Sequence, residues 1–325
     1  MGEYKTLLSA EIEPAIQWLQ RGDLVAIPTE TVYGLAANAL NEIAVRKIFQ
    51  VKGRPYYDPL IVHTNDIRKA DQWITAFPQP LKMLAEAFWP GPLTLLLPKK
   101  PVIPDLVTAG LNRVGMRIPD HPLTLRLLQA LEFPLAAPSA NPFGYVSPTM
   151  AIHVMSHFQG EIPMILDGGA CPKGIESTIV GMEDHQVVIY RLGALSRAAV
   201  EAIAGRVHLQ RHSSSRPTAP GMLTKHYAPN KRVIVVGDTA EAKPFIKSPE
   251  VALITFSRPI DQGYRSVWLS AKRDLDEAAA RFYATLQQWD HDPAIETIVV
   301  ERFPDESIGQ ALNDKLQRAA QQSDL

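Results

Sequence analysis

The sequence predicts an α/β protein of two domains. Three observations carry that reading: chain length, the alternation of short apolar runs with amphipathic stretches, and one break in texture after residue 205. At 325 residues the chain has room for two units of the usual ~150 residues, each able to bury its own core. Hydrophobic residues make up 46% and charged residues 21%, the balance of a folded chain and not of a disordered one.

Apolar runs bounded by Pro, Gly, Asp or Asn read as strands at Leu24–Ile27, Leu60–His63, Leu93–Leu97, Val114–Ile118, Leu135–Ala137, Met164–Leu166, Thr178–Val180 and Val187–Tyr190. Helices fall between them. Asn41 can cap one running to about Val51, Pro122 sits at the first turn before Leu123–Leu131, and Ser147-Pro148 opens another to about Phe158. This defines a first domain over residues 7–205. The stretch 206–230 has no acidic residue, a Ser213–Ser215 run and no helical or strand period, so it reads as a linker. Beyond it, strands at Val233–Val236 and Val251–Phe256 and helices at Asp274–Trp289 and Glu306–Gln321 predict a smaller, Rossmann-like α/β domain over 231–325. No glycine fingerprint follows its strands, so dinucleotide binding has no support.

Composition narrows function. A formal net charge of -1 lacks the basic excess of a general nucleic-acid binder, so any RNA contact must be local or indirect. Cys171 is the only cysteine, which excludes an intramolecular disulfide framework or a Cys-cluster metal site and fits a reducing cytoplasm. No signal-like segment or membrane-length apolar run is present, so secretion and membrane insertion are not expected. His153 and His157 have metal-ligand spacing, but a third ligand is not evident, and they are expected to be surface histidines.

Five constellations can carry chemistry. Thr29-Glu30-Thr31 follows a buried strand, where ligands of open α/β sheets gather, although a Thr-capped strand-to-helix turn would use the same residues. Lys52-Gly53-Arg54-Pro55 ends a helix as a possible fork for polyphosphate, with both side chains expected to be exposed in the empty cleft. Arg113 and Arg117 lie four apart on a strand and so share a face. Ser139-Ala140-Asn141 with Ser147-Pro148-Thr149 gathers small donors near a helix start. Glu176-Ser177-Thr178 precedes a strand carrying Arg191. No P-loop and no Gly-x-Ser-x-Gly occurs.

Taken together with Asp58-Pro59-Leu60, these motifs resemble, in order, those of the YrdC-like threonylcarbamoyl-AMP synthases over about residues 7–205. Ala219-Pro220-Gly221-Met222 and His226-Tyr227-Ala228-Pro229 resemble the longer, two-domain branch. The resemblance implies a twisted mixed sheet with a concave active site. It implies that L-threonine, bicarbonate and ATP, the last with Mg²⁺, become threonylcarbamoyladenylate and pyrophosphate, and that the product passes to the machinery modifying adenosine 37 of tRNAs reading ANN codons. It assigns Thr31, His63, Arg117, Ala137 and Ser177 to threonine. Lys52 and Arg54, Asp58, Arg113, Ser139, Asn141, Ser147, Arg191 and Tyr227 fall to ATP. Lys52 and Arg54 are the residues expected to act on the phosphates; no protein metal site is expected.

Asp58 and Arg113 depart from the family pattern, which more often has Asn and a small hydroxyl residue there. Arg113 would then reach another nucleotide atom or pair with Asp58. The linker is expected to cover the nucleotide. The rival from another class is a non-enzymatic RNA-binding module of the translation apparatus, weakened by the missing basic excess and aromatic platforms.

Overall fold

The computed structural model describes residues 4–210, 217, 219–222, 227–257 and 265–320, and the description that follows concerns these alone. The first domain is built on an eleven-stranded sheet. Its strands are β1 (Leu7–Ser9), β2 (Val25–Ile27), β3 (Gly34–Asn38), β4 (Ile61–His63), β5 (Leu93–Pro98), β6 (Arg113–Arg117), β7 (Leu135–Ala136), β8 (Met164–Leu166), β9 (Thr178–Glu183), β10 (Gln186–Arg191) and β11 (His208–Leu209). They lie in the order β1-β8-β2-β3-β7-β4-β6-β5-β9-β10-β11. The sheet is mixed, with parallel pairs such as β4 with β6 and antiparallel pairs such as β2 with β3.

All the nominated runs of this domain form strands, and three further strands join them. β3 is Gly34-Leu35-Ala36-Ala37-Asn38, which lacks β-branched residues and is placed by burial between β2 and β7. Its presence corrects the reading of Thr29-Glu30-Thr31: the turn joins two antiparallel strands, not a strand and a helix. β11 pairs with β10, so regular structure continues into the segment read as linker.

Helix Glu42–Lys52 begins where the Asn41 side chain accepts from the amides of Ile43 and Ala44, at 3.0 and 3.2 Å. It ends at Gly53, whose φ of +63° is the left-handed cap conformation that glycine adopts without a Cβ penalty. This stop turns the chain sharply enough to send Lys52 and Arg54 in different directions.

The second sheet is wholly parallel, with β12 (Arg232–Val236), β13 (Val251–Thr255), β14 (Arg265–Trp268) and β15 (Thr297–Glu301) in the order β12-β15-β13-β14. Helices Leu275–His291 and Gly309–Ala320 pack on it. The expectation of one core per domain needs correction. A single apolar cluster joins Val32, Tyr145 and Ile175 of the first domain to Ala279, Phe282, Tyr283 and Leu312 of the second. Polar ties reinforce it: the Tyr145 hydroxyl donates to the Asp290 carboxylate, and Gln287 Nε2 donates to the Ser147 carbonyl at 3.0 Å. His157 is half-buried at this junction against the Tyr145 ring, not a surface histidine. Among the described residues no helix is long and apolar enough to cross a membrane.

At Gly174 the backbone of the first domain approaches that of the second closely. Its φ is +67°, and a Cβ there would lie 2.3 Å from the Ala279 carbonyl oxygen and 2.5 Å from Ala280 Cα. Gly110 has a similar φ, +78°, with open space around it. Gly110→Ala should therefore cost about 1–2 kcal/mol for the left-handed backbone alone. Gly174→Ala should cost about 2–4 kcal/mol by adding steric conflict, and urea denaturation of both variants measures the difference. Equal losses would mean the close approach contributes nothing.

Candidate active site

A cleft opens between the β2–β3 turn, the carboxyl ends of β4 and β6, the Ser139 loop and the Pro220–Gly221 segment. Nine of the residues assigned from the sequence line it: Thr31, Arg54, His63, Arg117, Ala137, Ser139, Ser177, Arg191 and Tyr227. Thr29, Glu176, Pro220 and Gly221 line it as well.

One wall is built by the hairpin turn. The Thr29 hydroxyl donates to the Val32 carbonyl at 2.6 Å and accepts from the Thr31 and Val32 amides at 3.1 and 3.2 Å, which fixes the loop by purely local bonds. Glu30 points behind the wall, where one carboxylate oxygen lies 2.7 Å from Arg117 Nη2; both side chains are buried. Arg117 Nε also donates to the Gly91 carbonyl at 3.2 Å. His63, paired with Arg117 across β4 and β6, is buried beside it. Burial, and then the Arg117 charge, pull its pKa from 6.5 down to about 3, so the ring is neutral at physiological pH.

The opposite wall is cationic. Arg191 donates from Nε and Nη2 to the Ser177 carbonyl, at 3.1 and 2.9 Å, from Nη2 to the Ser177 hydroxyl at 3.1 Å, and from Nη1 to the Pro220 carbonyl at 3.4 Å. Arg54 donates to the Asp58 and Pro59 carbonyls at 3.1 and 2.7 Å, and its Nη2 lies 2.9 Å from the Asp58 carboxylate. Arginine and hydroxyl donors in this concentration suit an oligophosphate, while Arg117 with a neutral imidazole suits a carboxylate of a small polar molecule.

Five assigned residues stand outside the lining. Lys52 is the main correction. Its ammonium donates to the Ser139 and Asn141 carbonyls at 2.6 and 2.5 Å, and its side chain is buried instead of exposed in the cleft. Burial and then Arg54 lower its pKa. Because Lys52 turns to these carbonyls and Arg54 to Asp58 and Pro59, the two basic residues are not a parallel fork. Arg54, 7% exposed, is buried too, contrary to the exposed side chain expected. Asp58 lies behind Arg54. Asn141 donates to the Pro142 and Tyr145 carbonyls at 2.8 and 2.9 Å. The Ser147 hydroxyl donates to Glu176 at 2.6 Å.

Arg113 stands at the far end of β6, bonded to the Tyr190 hydroxyl at 2.9 Å and the Met182 carbonyl at 3.2 Å and 3.7 Å from Glu183. Its pairing with Asp58 does not occur, because Arg54 already occupies that carboxylate. The shared face expected for Arg113 and Arg117 was the wrong guide: residues four apart on a strand are about 13 Å apart along it.

Sequence reasoning missed the contribution of the second domain. Glu176 accepts from the Tyr283 hydroxyl at 3.0 Å and lies 3.6 Å from the buried Lys315 ammonium. Arg318 donates to the Gly221 carbonyl at 2.7 Å and stacks over Tyr227, its guanidinium carbon 4.9 Å from the ring centre. Helical spacing marks these positions only as core, and nothing local distinguishes a buried Lys or Arg from an exposed one. Tyr227 itself has a φ of +67°, costly for a residue with a Cβ and maintained here by its stacking on Tyr283, 5.9 Å between ring centres. His226 lies outside the described residues.

Two outcomes follow. Lys52→Ala would strand the Ser139 and Asn141 carbonyls, so it should lose about 2–3 kcal/mol of stability in urea as well as activity; unchanged stability would return Lys52 to a purely ligand-facing role. His63 takes up a proton on unfolding between pH 6.5 and about 3, so stability falls as pH falls through that window. At pH 5 its share is on the order of 1–2 kcal/mol. His63→Gln should flatten the pH 7-to-5 change by that amount, with His153, lowered to about 4, retaining its own part.

Among known proteins, the family model described as "Telomere recombination" matches residues 17–193, and one described as "Threonylcarbamoyl-AMP synthase, C-terminal domain" matches residues 192–321. The threonylcarbamoyl-AMP synthase of Bacillus subtilis is 38% identical over 323 residues, covering 95% of this chain and 93% of its own. The protein of the same name from Pyrococcus abyssi is 38% identical over 326 residues, covering 95% and 94%. The crystal structure of P. abyssi Sua5 complexed with L-threonine superposes with a TM-score of 0.90 at 35% identity, covering 97% of this chain and 98% of that one.

Proposed function

The chain belongs to the threonylcarbamoyl-AMP synthase family in its two-domain form, and on that premise we propose how its cleft does the work. The enzyme makes threonylcarbamoyl-AMP from threonine and ATP for the modification of tRNA. The observation that carries the assignment of residues is the meeting, across Ser177, of a carboxylate-type wall (Arg117, His63, Thr31) and a phosphate-type wall (Arg54, Arg191, Ser139) in one cleft.

Threonine is held with its carboxylate toward Arg117, while Thr31, Ser177, the Ala137 backbone and neutral His63 fix its remaining polar atoms. Bicarbonate is the one-carbon substrate: the deprotonated threonine amine adds to it with loss of water, giving a carbamate. A carbamate oxygen then attacks the α-phosphorus of ATP, the bond to the β-phosphate oxygen breaks, and pyrophosphate leaves. Placing two anions in line and neutralising charge on the phosphates is the main demand, met by Arg54, Arg191 and the hydroxyl of Ser139. His63, neutral, serves as a hydrogen-bonding ligand, and no nucleophilic side chain is required.

Mg²⁺ enters with the nucleotide. Asp58 is engaged by Arg54, and Glu176 by Ser147, Tyr283 and Lys315, which leaves the cation to be held mainly by substrate phosphates. Within the segment 206–230, the described residues 219–222 and 227 act as a cover that keeps water from the intermediate. In support, Ala219 and Met222 are buried against Ile61, Leu96 and Tyr190, and Tyr227 lines the cleft. We place the reaction in the cytoplasm and the product with a separate transfer machinery. The RNA-binding module is set aside, since the family is one of enzymes.

Pyrophosphate release should require threonine and bicarbonate together, with a product of the mass of threonylcarbamoyl-AMP. Serine, lacking the methyl group, should be used about 10–200-fold less efficiently. Turnover without an amino acid, or equal use of serine, would count against this account of the pocket.

A further inference from the structure

Asp58 is an acidic side chain set among the cations behind the phosphate wall, and it is fully buried. One of its oxygens lies 2.9 Å from Arg54 Nη2, and among the described residues neither accepts a well-aligned hydrogen bond. Arg54 lines the cleft in front of it, so the carboxylate reaches the guanidinium from behind, as an anion in the cleft would from the front. Burial raises its pKa, and the charges of Arg54, Lys52, Arg191 and Arg318 act against that and favour the anion. Its environment is that of a bound phosphate oxygen, supplied by the protein itself.

We propose that Asp58 is an internal counter-anion for Arg54 that weakens the hold of the cleft on polyphosphate, ATP and pyrophosphate alike. The inference rests on the polyphosphate reading of that wall. Physically, a fixed negative charge beside the guanidinium repels an arriving phosphate and shares its donor, while keeping Arg54 from standing buried and unpaired when the cleft is empty. The consequence lies in turnover. Pyrophosphate carries the charge of the departing phosphates without the adenosine that anchors ATP elsewhere, so the same repulsion speeds its release. Asp58 trades ground-state affinity for clearance of the product.

The test is titration calorimetry of the full chain with ATP and with pyrophosphate, each with Mg²⁺ and with EDTA, on wild type, Asp58→Asn and Arg54→Ala. Asp58→Asn should bind both ligands about tenfold more tightly with or without Mg²⁺. It should also melt at a lower temperature when empty, gain more from ligand than wild type does, and show a lower KM for ATP together with a lower kcat as pyrophosphate release slows. Asp58→Ser, also neutral, should show the same tightening and serves where the amide does not fit.

Binding that is unchanged or weaker in both neutral variants overturns the inference. So does a loss confined to the Mg²⁺ titrations, which would make Asp58 a ligand of the nucleotide's metal ion. Arg54→Ala separates the two levels of the argument: if it binds ATP like wild type, the phosphate wall itself is misassigned; if it binds weakly while neither neutral variant binds more tightly, only the counter-anion fails.

Discussion

A cleft that receives anions must keep its cations out of water before those anions arrive, and an unpaired buried charge costs several kcal/mol. The architecture of the cleft follows from how that cost is met. Lys52 is held by two carbonyls, Arg117 by Glu30 and the Gly91 carbonyl, Arg54 by Asp58 and two carbonyls, and Arg191 by Ser177 and the Pro220 carbonyl. Four of the residues that supply these oxygens, Pro59, Ser139, Ser177 and Pro220, themselves line the cleft. The cations therefore do two things at once: they set the potential that attracts substrate and they tie the hairpin turn, the Ser139 loop and the Pro220 segment into place. Such preorganisation is what lets electrostatics act on a transition state without reorganising at the moment of reaction.

The same requirement explains why the second domain is fused so closely to the first. Glu176 precedes Ser177 in the cleft wall and is buried, so its carboxylate also needs partners. It finds Ser147 within its own domain, but Tyr283 and Lys315 come from the other. Lys315 in turn donates to the Leu192 carbonyl at 2.8 Å, which anchors the chain just beyond Arg191. A domain boundary drawn on sequence texture thus cuts through one energetic unit, since the apolar cluster around Tyr283 and Ile175 spans both sides. Chain continuity and packing divide the molecule differently.

How much of this was legible depended on whether a feature is local. Strands whose residues form an apolar run, such as Leu93–Pro98, were readable because burial on both faces leaves a continuous signature. Gly34–Asn38 was not, because small residues carry almost no strand preference and only the neighbouring strands make it one. Asn41 and Gly53 announced their helix because capping is decided within a few residues. At the site, motif order brought Thr31, His63, Arg117 and Arg191 to one cleft, whereas the direction of a long side chain was beyond reach. Lys52 and Arg54 are two apart, yet the left-handed turn at Gly53 sends one behind the Ser139 loop and the other to the cleft. Arg113 failed for the complementary reason, that strand spacing fixes the face but not whether the cavity extends that far.

The composition of the connecting segment fits the same physics. From Gly205 to Asn230 the chain contains no Asp or Glu, and its described residues Pro220, Gly221 and Tyr227 line the cleft. Three carboxylates, Glu30, Asp58 and Glu176, already stand beside the cations of the cleft and use up part of its positive potential. A further carboxylate on the covering segment would compete with substrate from the front, where no buried partner could hold it away. Tyr227 avoids that conflict. Its hydroxyl is buried, with a pKa pushed up first by burial and then by the Glu176 charge, so it stays neutral beside Arg191 and Arg318. A neutral aromatic face against the Arg318 guanidinium and the Lys315 ammonium adds apolar cover and a weak attraction for cations while leaving the charge of the cleft available to phosphate.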